Sequence, residues 1–237
     1  MFISRSMVSQ VITITKEASL LEAREKMLAH TIRHLPVVDA DGRLVGIVTD
    51  RDLRSAMPYR MFKNGGTAEE REQIAQLTVG DIMTPDPLTI SPDHTLQDAL
   101  LLIQKKKVGA FPVVDAGGRL TGILSVRDLL RAFTNVLGIH EPGILLCIEV
   151  EEKVGQLKRI VDAITEENIS FGSVLVARTW DTGKRAVFPY LLTSNVVKVK
   201  KKLTAMGYRL INPMEWYIDT LPQTDLKPDP AAGPPSE

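Results

Sequence analysis

Apolar residues recur through the first half of the chain in a fixed succession of short runs and helical spacings, and the succession occurs twice. Residues 11–15 and 87–91 each predict a short strand. A helix follows: Ser19 with Glu22, and Thr95 with Asp98, stand at capping-box spacing. In the second helix Leu96, Ala99, Leu100 and Ile103 fall at i, i+3, i+4 and i+7, one apolar face. Residues 35–38 and 111–114 predict the next strand. Asp39-Ala40-Asp41-Gly42 and Asp115-Ala116-Gly117-Gly118 are turn chemistry leading to a further strand at 44–48 or 120–124. A second helix opens near Asp50 or Val126. The order is β-α-β-β-α, twice. At an offset of 76 residues, positions 7–57 and 83–133 align without a gap, and 19 of the 51 pairs are identical. This is duplication of one structural unit, and its copies are expected to be related by a pseudo-twofold.

The rest of the pattern differs. Residues 58–77 hold Asn64-Gly65-Gly66, a breaker, and a charged helical stretch over 68–76. They read as an inserted loop and helix on the rim, a spacer in preference to a lid. After His140-Glu141-Pro142-Gly143 comes a strand at 144–150 and a helix at 154–168 carrying apolar Val154, Leu157, Ile160, Val161 and Ile164. Strands at 171–179 and 186–193 flank the turn Asp181-Thr182-Gly183-Lys184. A helix over 195–206, ended by Gly207, and a strand at 208–211 complete β-α-β-β-α-β, the ferredoxin-like order. The proline-rich end predicts disorder. The expected fold is α/β (α+β). Its divisions are a first repeat at 1–57, a spacer at 58–77, a second repeat at 78–136, a linker at 137–143, a C-terminal domain at 144–219 and a tail at 220–237.

Composition narrows the function classes. In 237 residues, 44% are hydrophobic, enough to bury real cores. Lysine plus arginine and aspartate plus glutamate are 29 each, a zero net charge that argues against nonspecific nucleic-acid binding. One cysteine, Cys147, rules out a disulfide framework and a multi-cysteine zinc site. It sits among Leu145, Leu146 and Ile148, which reads as a buried thiol in preference to a nucleophile. The longest apolar run, 144–148, is far short of the roughly 20 residues that span a bilayer, and MFISRSMVSQ lacks a secretion-signal core. These features predict a soluble, cytoplasmic protein with no membrane or nucleic-acid partner. The four histidines form no metal-binding pair, and no nucleophile elbow or phosphate loop occurs. We therefore expect no metal site, no catalytic residues and no enzyme activity.

Chemistry concentrates in two heptads, Gly46-Ile47-Val48-Thr49-Asp50-Arg51-Asp52 and Gly122-Ile123-Leu124-Ser125-Val126-Arg127-Asp128. Each stands where a strand hands over to a helix. A hydroxyl beside free helix-start amides is a seat for phosphate. A first-turn carboxylate can accept from both hydroxyls of a ribose, and an adjacent arginine adds charge for phosphate. The same residues also fit plain capping, with Thr49 and Ser125 as N-caps and Asp52 and Asp128 complementing the dipole.

The repeat resembles a pair of cystathionine-β-synthase (CBS) domains, a Bateman module, over residues 1–136. The resemblance rests on Leu35-Pro36-Val37-Val38-Asp39 and Phe111-Pro112-Val113-Val114-Asp115, on the Gly-Arg-Leu turns, on both heptads, and on Met7 and Met83. It implies regulatory binding of AMP, ADP or ATP, sometimes S-adenosylmethionine, with NAD also to be considered, and no required cofactor. It implies crosswise clefts. Met7, Ile32, Arg33, His34 and Pro36 would face Ser125, Arg127 and Asp128; Met83, Val108, Gly109, Ala110 and Pro112 would face Thr49, Arg51 and Asp52. Arg33 and His34 enter the first where Gly109 and Ala110 enter the second, which points to a di- or triphosphate in the first unless Lys105-Lys106-Lys107, before the second, compensates. The C-terminal domain resembles an ACT domain. Glu152-Lys153-Val154-Gly155-Gln156-Leu157 is similar to the family's small-ligand turn D-x-P-G-x-L, with glutamate for aspartate and valine for proline. It implies either a ligand site at Glu152, Gly155 and Leu157 or a dimerisation role. The layout as a whole resembles AcuB-type acetoin-utilisation regulators. It implies a homodimer that reports adenine-nucleotide occupancy through the ACT domain or to a regulated enzyme partner. The alternative is an amino-acid or small-acid sensor with the CBS pair as dimerisation scaffold.

Overall fold

One aspartate builds the tight turn in each repeat. Asp39 Oδ1 accepts from the amides of Asp41 (2.9 Å) and Arg43 (2.8 Å), and Asp115 Oδ1 accepts from those of Gly117 and Arg119, both at 2.9 Å. Gly42 and Gly118 close the turns at φ 76° and 77°, a left-handed conformation natural to glycine. The computed structural model describes residues 1–60 and 65–211. The chain divides into two compact units, Met1–Phe133 and Thr134–Glu237.

In the first unit, the first repeat comprises α1 (Leu20–Ala29), β1 (His34–Val38), β2 (Leu44–Thr49) and α2 (Asp50–Ala56). Next come α3 (Ala68–Ala75), α4 (Val79–Ile82) and β3 (Thr84–Pro85). The second repeat comprises α5 (Leu96–Lys106), β4 (Ala110–Val114), β5 (Leu120–Ser125) and α6 (Val126–Leu137). The leading strands expected at 11–15 and 87–91 reduce to single parallel bridges, Ile14 to Val37 and Ile90 to Val113. In the second copy Pro87 and Pro92 bring no amide to a ladder. The capping also differs. Thr95 and Asp98 make the reciprocal box. Ser19 caps Glu22 N at 3.1 Å, but the Glu22 carboxylate turns forward to Lys26 Nζ at 3.2 Å instead of back to the cap.

The two repeats complete each other crosswise. β3, at the head of the second repeat, pairs with β2 of the first through Gly46–Pro85 and Ile47–Thr84. At the equivalent register Val8, at the head of the first repeat, bridges Ile123 in β5. The cores follow suit. Leu20, Leu35, Val37, Val48 and Leu53 pack with Ile74 from the spacer and Val79 from the head of the second repeat. Phe111, Val113, Leu124 and Leu129 pack with Ile3. The helix expected in the spacer is therefore anchored: Thr67 and Glu70 box its start and Ile74 is buried. Gly46 and Gly122 are small because a methionine lies on each: a Cβ on Gly46 would stand 2.5 Å from Met83 Sδ, and one on Gly122 would clash with Met7 Sδ. Leu44 N donates to Gly118 O and Leu120 N to Gly42 O, both at 3.2 Å, a reciprocal pair that fits the expected pseudo-twofold.

The second unit contains β6 (Ile144–Leu145), β7 (Cys147–Glu151), α7 (Gln156–Thr165), β8 (Phe171–Asp181), β9 (Lys184–Leu191), α8 (Val197–Ala205) and β10 (Arg209–Ile211). The expected strand 144–150 is interrupted at Leu146, and both halves pair with β9. All pairings are antiparallel, with β10 on β7, β7 on β9 and β8 on the other side of β9. This is the ferredoxin-like order expected. Ile148, Val150, Ile160, Ile164, Val187, Val199 and Leu203 form its core. Cys147 is buried, and that burial, with the Glu149 charge second, pushes its thiol pKa up. Trp180 meets Phe188 edge-on at 5.7 Å. Asn64, Trp216 and the tail at 220–237 lie outside the described residues. Among the described residues no helix is long and apolar enough to cross a membrane.

Candidate functional site

A cavity of about 860 Å³ opens in the first unit where the entry to β1 meets the start of α6. α1 contributes Arg24, Met27 and Leu28, at i, i+3 and i+4. After α1 Thr31 adopts φ 53°, matched by Lys107 at φ 54° in the second repeat. A β-branched residue is strained there, and the bend delivers Ile32, Arg33 and His34 to the cavity wall. Opposite them stand Ile123 and Ser125 from β5, then Val126, Arg127, Asp128 and Arg131 from α6. The lining pairs an apolar surface (Val8, Val11, Ile12, Ile32, Leu53, Ile123) with a cationic one (Arg24, Arg33, Arg127, Arg131). Its two carboxylates are engaged: Asp50 with Arg54, and Asp128 with Arg131. Arg33 and Arg127 form no ion pair among the described residues. Such a surface suits a flat apolar group joined to a multiply charged anion, with the α6 amides and dipole adding to the attraction.

In both heptads the structure shows the capping role. Ser125 N and Oγ donate to Asp128 Oδ2 at 2.9 and 2.6 Å, and Asp128 N donates back to Oγ at 3.3 Å. Thr49 and Asp52 repeat this at 2.8, 2.7 and 3.3 Å. Each cap uses one carboxylate oxygen and leaves the other for a second partner. Asp128 Oδ1 is taken by Arg131 Nη2, whereas Asp52 Oδ1 accepts no hydrogen bond among the described residues.

Of the first predicted set, Ile32, Arg33, His34, Ser125, Arg127 and Asp128 line the cavity. Met7 and Pro36 do not: Met7 packs on Gly122 and the second core, Pro36 is buried within β1, and Val8 provides the wall. Of the second set only Gly109 lines it; Met83, Val108, Ala110, Pro112, Thr49, Arg51 and Asp52 lie elsewhere. Sequence reading missed Arg24, His30 and Arg131. Arg131 had a usable signal, since it stands one turn beyond Asp128 on the same helix face. In the second unit Glu152 is ion-paired to Arg185, Gly155 starts α7 at φ 91° with open space around it, and Leu157 is exposed.

His34 links the cavity to the other predicted set. A Cβ on Gly109 would meet His34 Nε2 at 3.0 Å, so the ring lies over that glycine. Burial, then the Arg33 charge, lowers the His34 pKa below 6.5, opposed by the Asp52 charge. The folded state thus prefers neutral His34. The stability this gives is fully present above the unfolded value of 6.5 and is lost as pH falls through it toward the folded value. Thermal melts at pH 7.5 and 5.5 are expected to show a drop in Tm that His34→Gln reduces; an unchanged drop would place the titration on another group.

The CBS domain family model matches residues 3–59 and 79–135. The chain is similar to a CBS domain-containing protein of Dictyostelium discoideum, 36% identical over 135 residues that cover 57% of this chain and 92% of that one. It is also similar to an inosine-5'-monophosphate dehydrogenase of Korarchaeum cryptofilum, 38% identical over 122 residues, covering 52% of this chain and only 22% of the enzyme. Among solved structures, CBSX2 in complex with AMP overlays with a TM-score of 0.47 at 30% identity, over 56% of this chain and 95% of that one.

Proposed function

We propose, since the chain belongs to the CBS-domain family, that it is a non-enzymatic regulatory protein whose first unit senses an adenine nucleotide. The observation that carries this reading is the composition of the cavity between the repeats, an apolar wall beside two carboxylates and four arginines. Adenine lies against Ile32 and Ile123, the ribose hydroxyls donate to Asp128, and the phosphates meet Arg33, Arg127 and the first amides of α6. Met83, Val108, Gly109, Ala110 and Pro112, opposite Thr49, Arg51 and Asp52, form the second, less cationic cleft. Binding acts by population shift: the nucleotide favours one arrangement of the repeats in proportion to its differential affinity. The resemblance to ACT and AcuB-type proteins supports signalling through the C-terminal unit or to an enzyme partner, as a cytoplasmic homodimer, in acetoin or related carbon metabolism.

Isothermal titration of ligand-stripped protein with AMP, ADP, ATP, S-adenosylmethionine and NAD tests this. Micromolar binding of an adenine ligand is expected, and the stoichiometry counts the working clefts. Silence from all five overturns the sensor reading and leaves the CBS pair as scaffold.

A further inference from the structure

Arg131 and Asp128 form the cavity's own internal ion pair, and the duplication supplies a built-in comparison. Asp128 Oδ2 is spent on the α6 cap, so Oδ1 is its remaining acceptor, and Arg131 Nη2 holds it. The Asp128 side chain is 8% exposed and that of Arg131 is 62% exposed, so the carboxylate is fixed and the guanidinium is free to swing on a long stem. In the first repeat Asp52 has the same cap, Ser55 stands where Arg131 does, and Oδ1 accepts no hydrogen bond among the described residues. One of two copies of the same motif therefore has its outer oxygen blocked by a cation.

We propose that Arg131 selects the ligand of this cleft by exchanging partners: the ribose of a nucleoside di- or triphosphate displaces it from Asp128, and the freed guanidinium moves to the phosphates. This rests on the adenine-nucleotide reading of the cavity and adds a selection rule to it. A ligand without phosphate breaks the ion pair and returns nothing to Arg131. A ligand with several phosphates supplies a new anionic partner that an arginine fork can grip with two hydrogen bonds. Arg24, Arg33 and Arg127 line the same cavity, so the phosphates enter an already cationic field in which Arg131 closes the set. Arg131 is a specificity device whose effect reverses sign with ligand charge.

The reversal provides the test. Adenosine, AMP and ATP are titrated at one fixed salt concentration into wild-type, Arg131→Ala and Arg131→Lys protein. In Arg131→Ala, adenosine is expected to bind about 2- to 5-fold tighter, the ordinary strength of a partly exposed ion pair. ATP is expected to bind about 10- to 100-fold more weakly, the usual cost of losing a charged hydrogen bond. Arg131→Lys should recover part of the ATP affinity. Equal weakening of both ligands, or unchanged ATP binding, overturns the partner exchange while leaving the cleft assignment standing. No binding of any of the three by wild-type protein overturns the assignment and the exchange together. Melting curves of both variants, within a few degrees of wild type, exclude misfolding as the cause.

Discussion

Asp128→Ala is expected to cost the cavity about 100-fold or more in adenosine affinity, because each hydrogen bond to a charged acceptor is worth about 1.5–3 kcal/mol and a ribose offers two donors. The same change removes the carboxylate half of the α6 capping box and keeps the Ser125 cap itself, a loss of about 1 kcal/mol in stability. The two effects separate cleanly. Ser125→Ala removes the hydroxyl donor to Oδ2 but leaves Oδ1 in place, so it should lower Tm with a small change in affinity. Asp52→Ala removes the matching carboxylate half of the box in the first repeat. Asp52 does not line the cavity, so its loss should leave that cleft's affinity close to wild type. Calorimetry gives the affinities and thermal denaturation the stabilities. If Asp52→Ala and Asp128→Ala weaken binding equally, the nucleotide sits in both clefts or in neither as drawn. If Asp128→Ala leaves binding intact, Asp128 does not hold the ribose.

How much of this was legible in the sequence depends on the range of the interaction. The strand pairs, the Asp39 and Asp115 turns and the caps depend on contacts within a few residues, and the repeated pattern exposed them twice. The ferredoxin-like order of the C-terminal unit followed from periodicity in the same way. The choice between partners was not legible. Glu22 and Asp98 occupy the same position after a cap, yet Glu22 has a lysine four residues on and turns to it, while Asp98 has Leu102 there and turns back. Arg131 was passed over despite its place one turn beyond Asp128, because a polar residue on a helix reads as solvated until the fold brings a cavity to it. The crossed completion of the repeats was the least accessible feature. Thr84-Pro85 and Val8 carry almost no strand signal alone, and nothing local says that each belongs to the other repeat's sheet.

That crossing makes Ile3 the most consequential residue outside the cavity. Ile3 is fully buried and packs with Leu96, Phe111, Val113 and Leu129, far along the chain from it. Backbone bonds pin the segment: Ile3 N to His94 O at 2.9 Å, Ser4 N to Pro92 O at 3.1 Å, and Leu96 N to Met1 O at 3.0 Å. Ile3→Ala is expected to cost about 2–5 kcal/mol, the range for truncating a buried isoleucine. Hydrogen exchange would locate the damage. Amides of α5 and β4 should lose protection first, with α1 and β1 little changed. Val79→Ala, which sits at the head of the second repeat, should do the reverse, because Val79 packs into the first core. Loss of protection in α1 and β1 on Ile3→Ala would contradict the crossed core. The cavity joins the two halves, with Val8 and Ile123 on one side and Ile32 and Arg33 on the other. A saturating nucleotide should therefore raise the protection of both repeats, by RT ln(1 + [L]/Kd) for opening reactions that abolish binding. In Ile3→Ala protein the ligand should restore protection to the second repeat most visibly, because that is where opening has become cheapest. This repair at a distance from residue 3 would tie the fold's exchange of segments to the occupancy of its cleft.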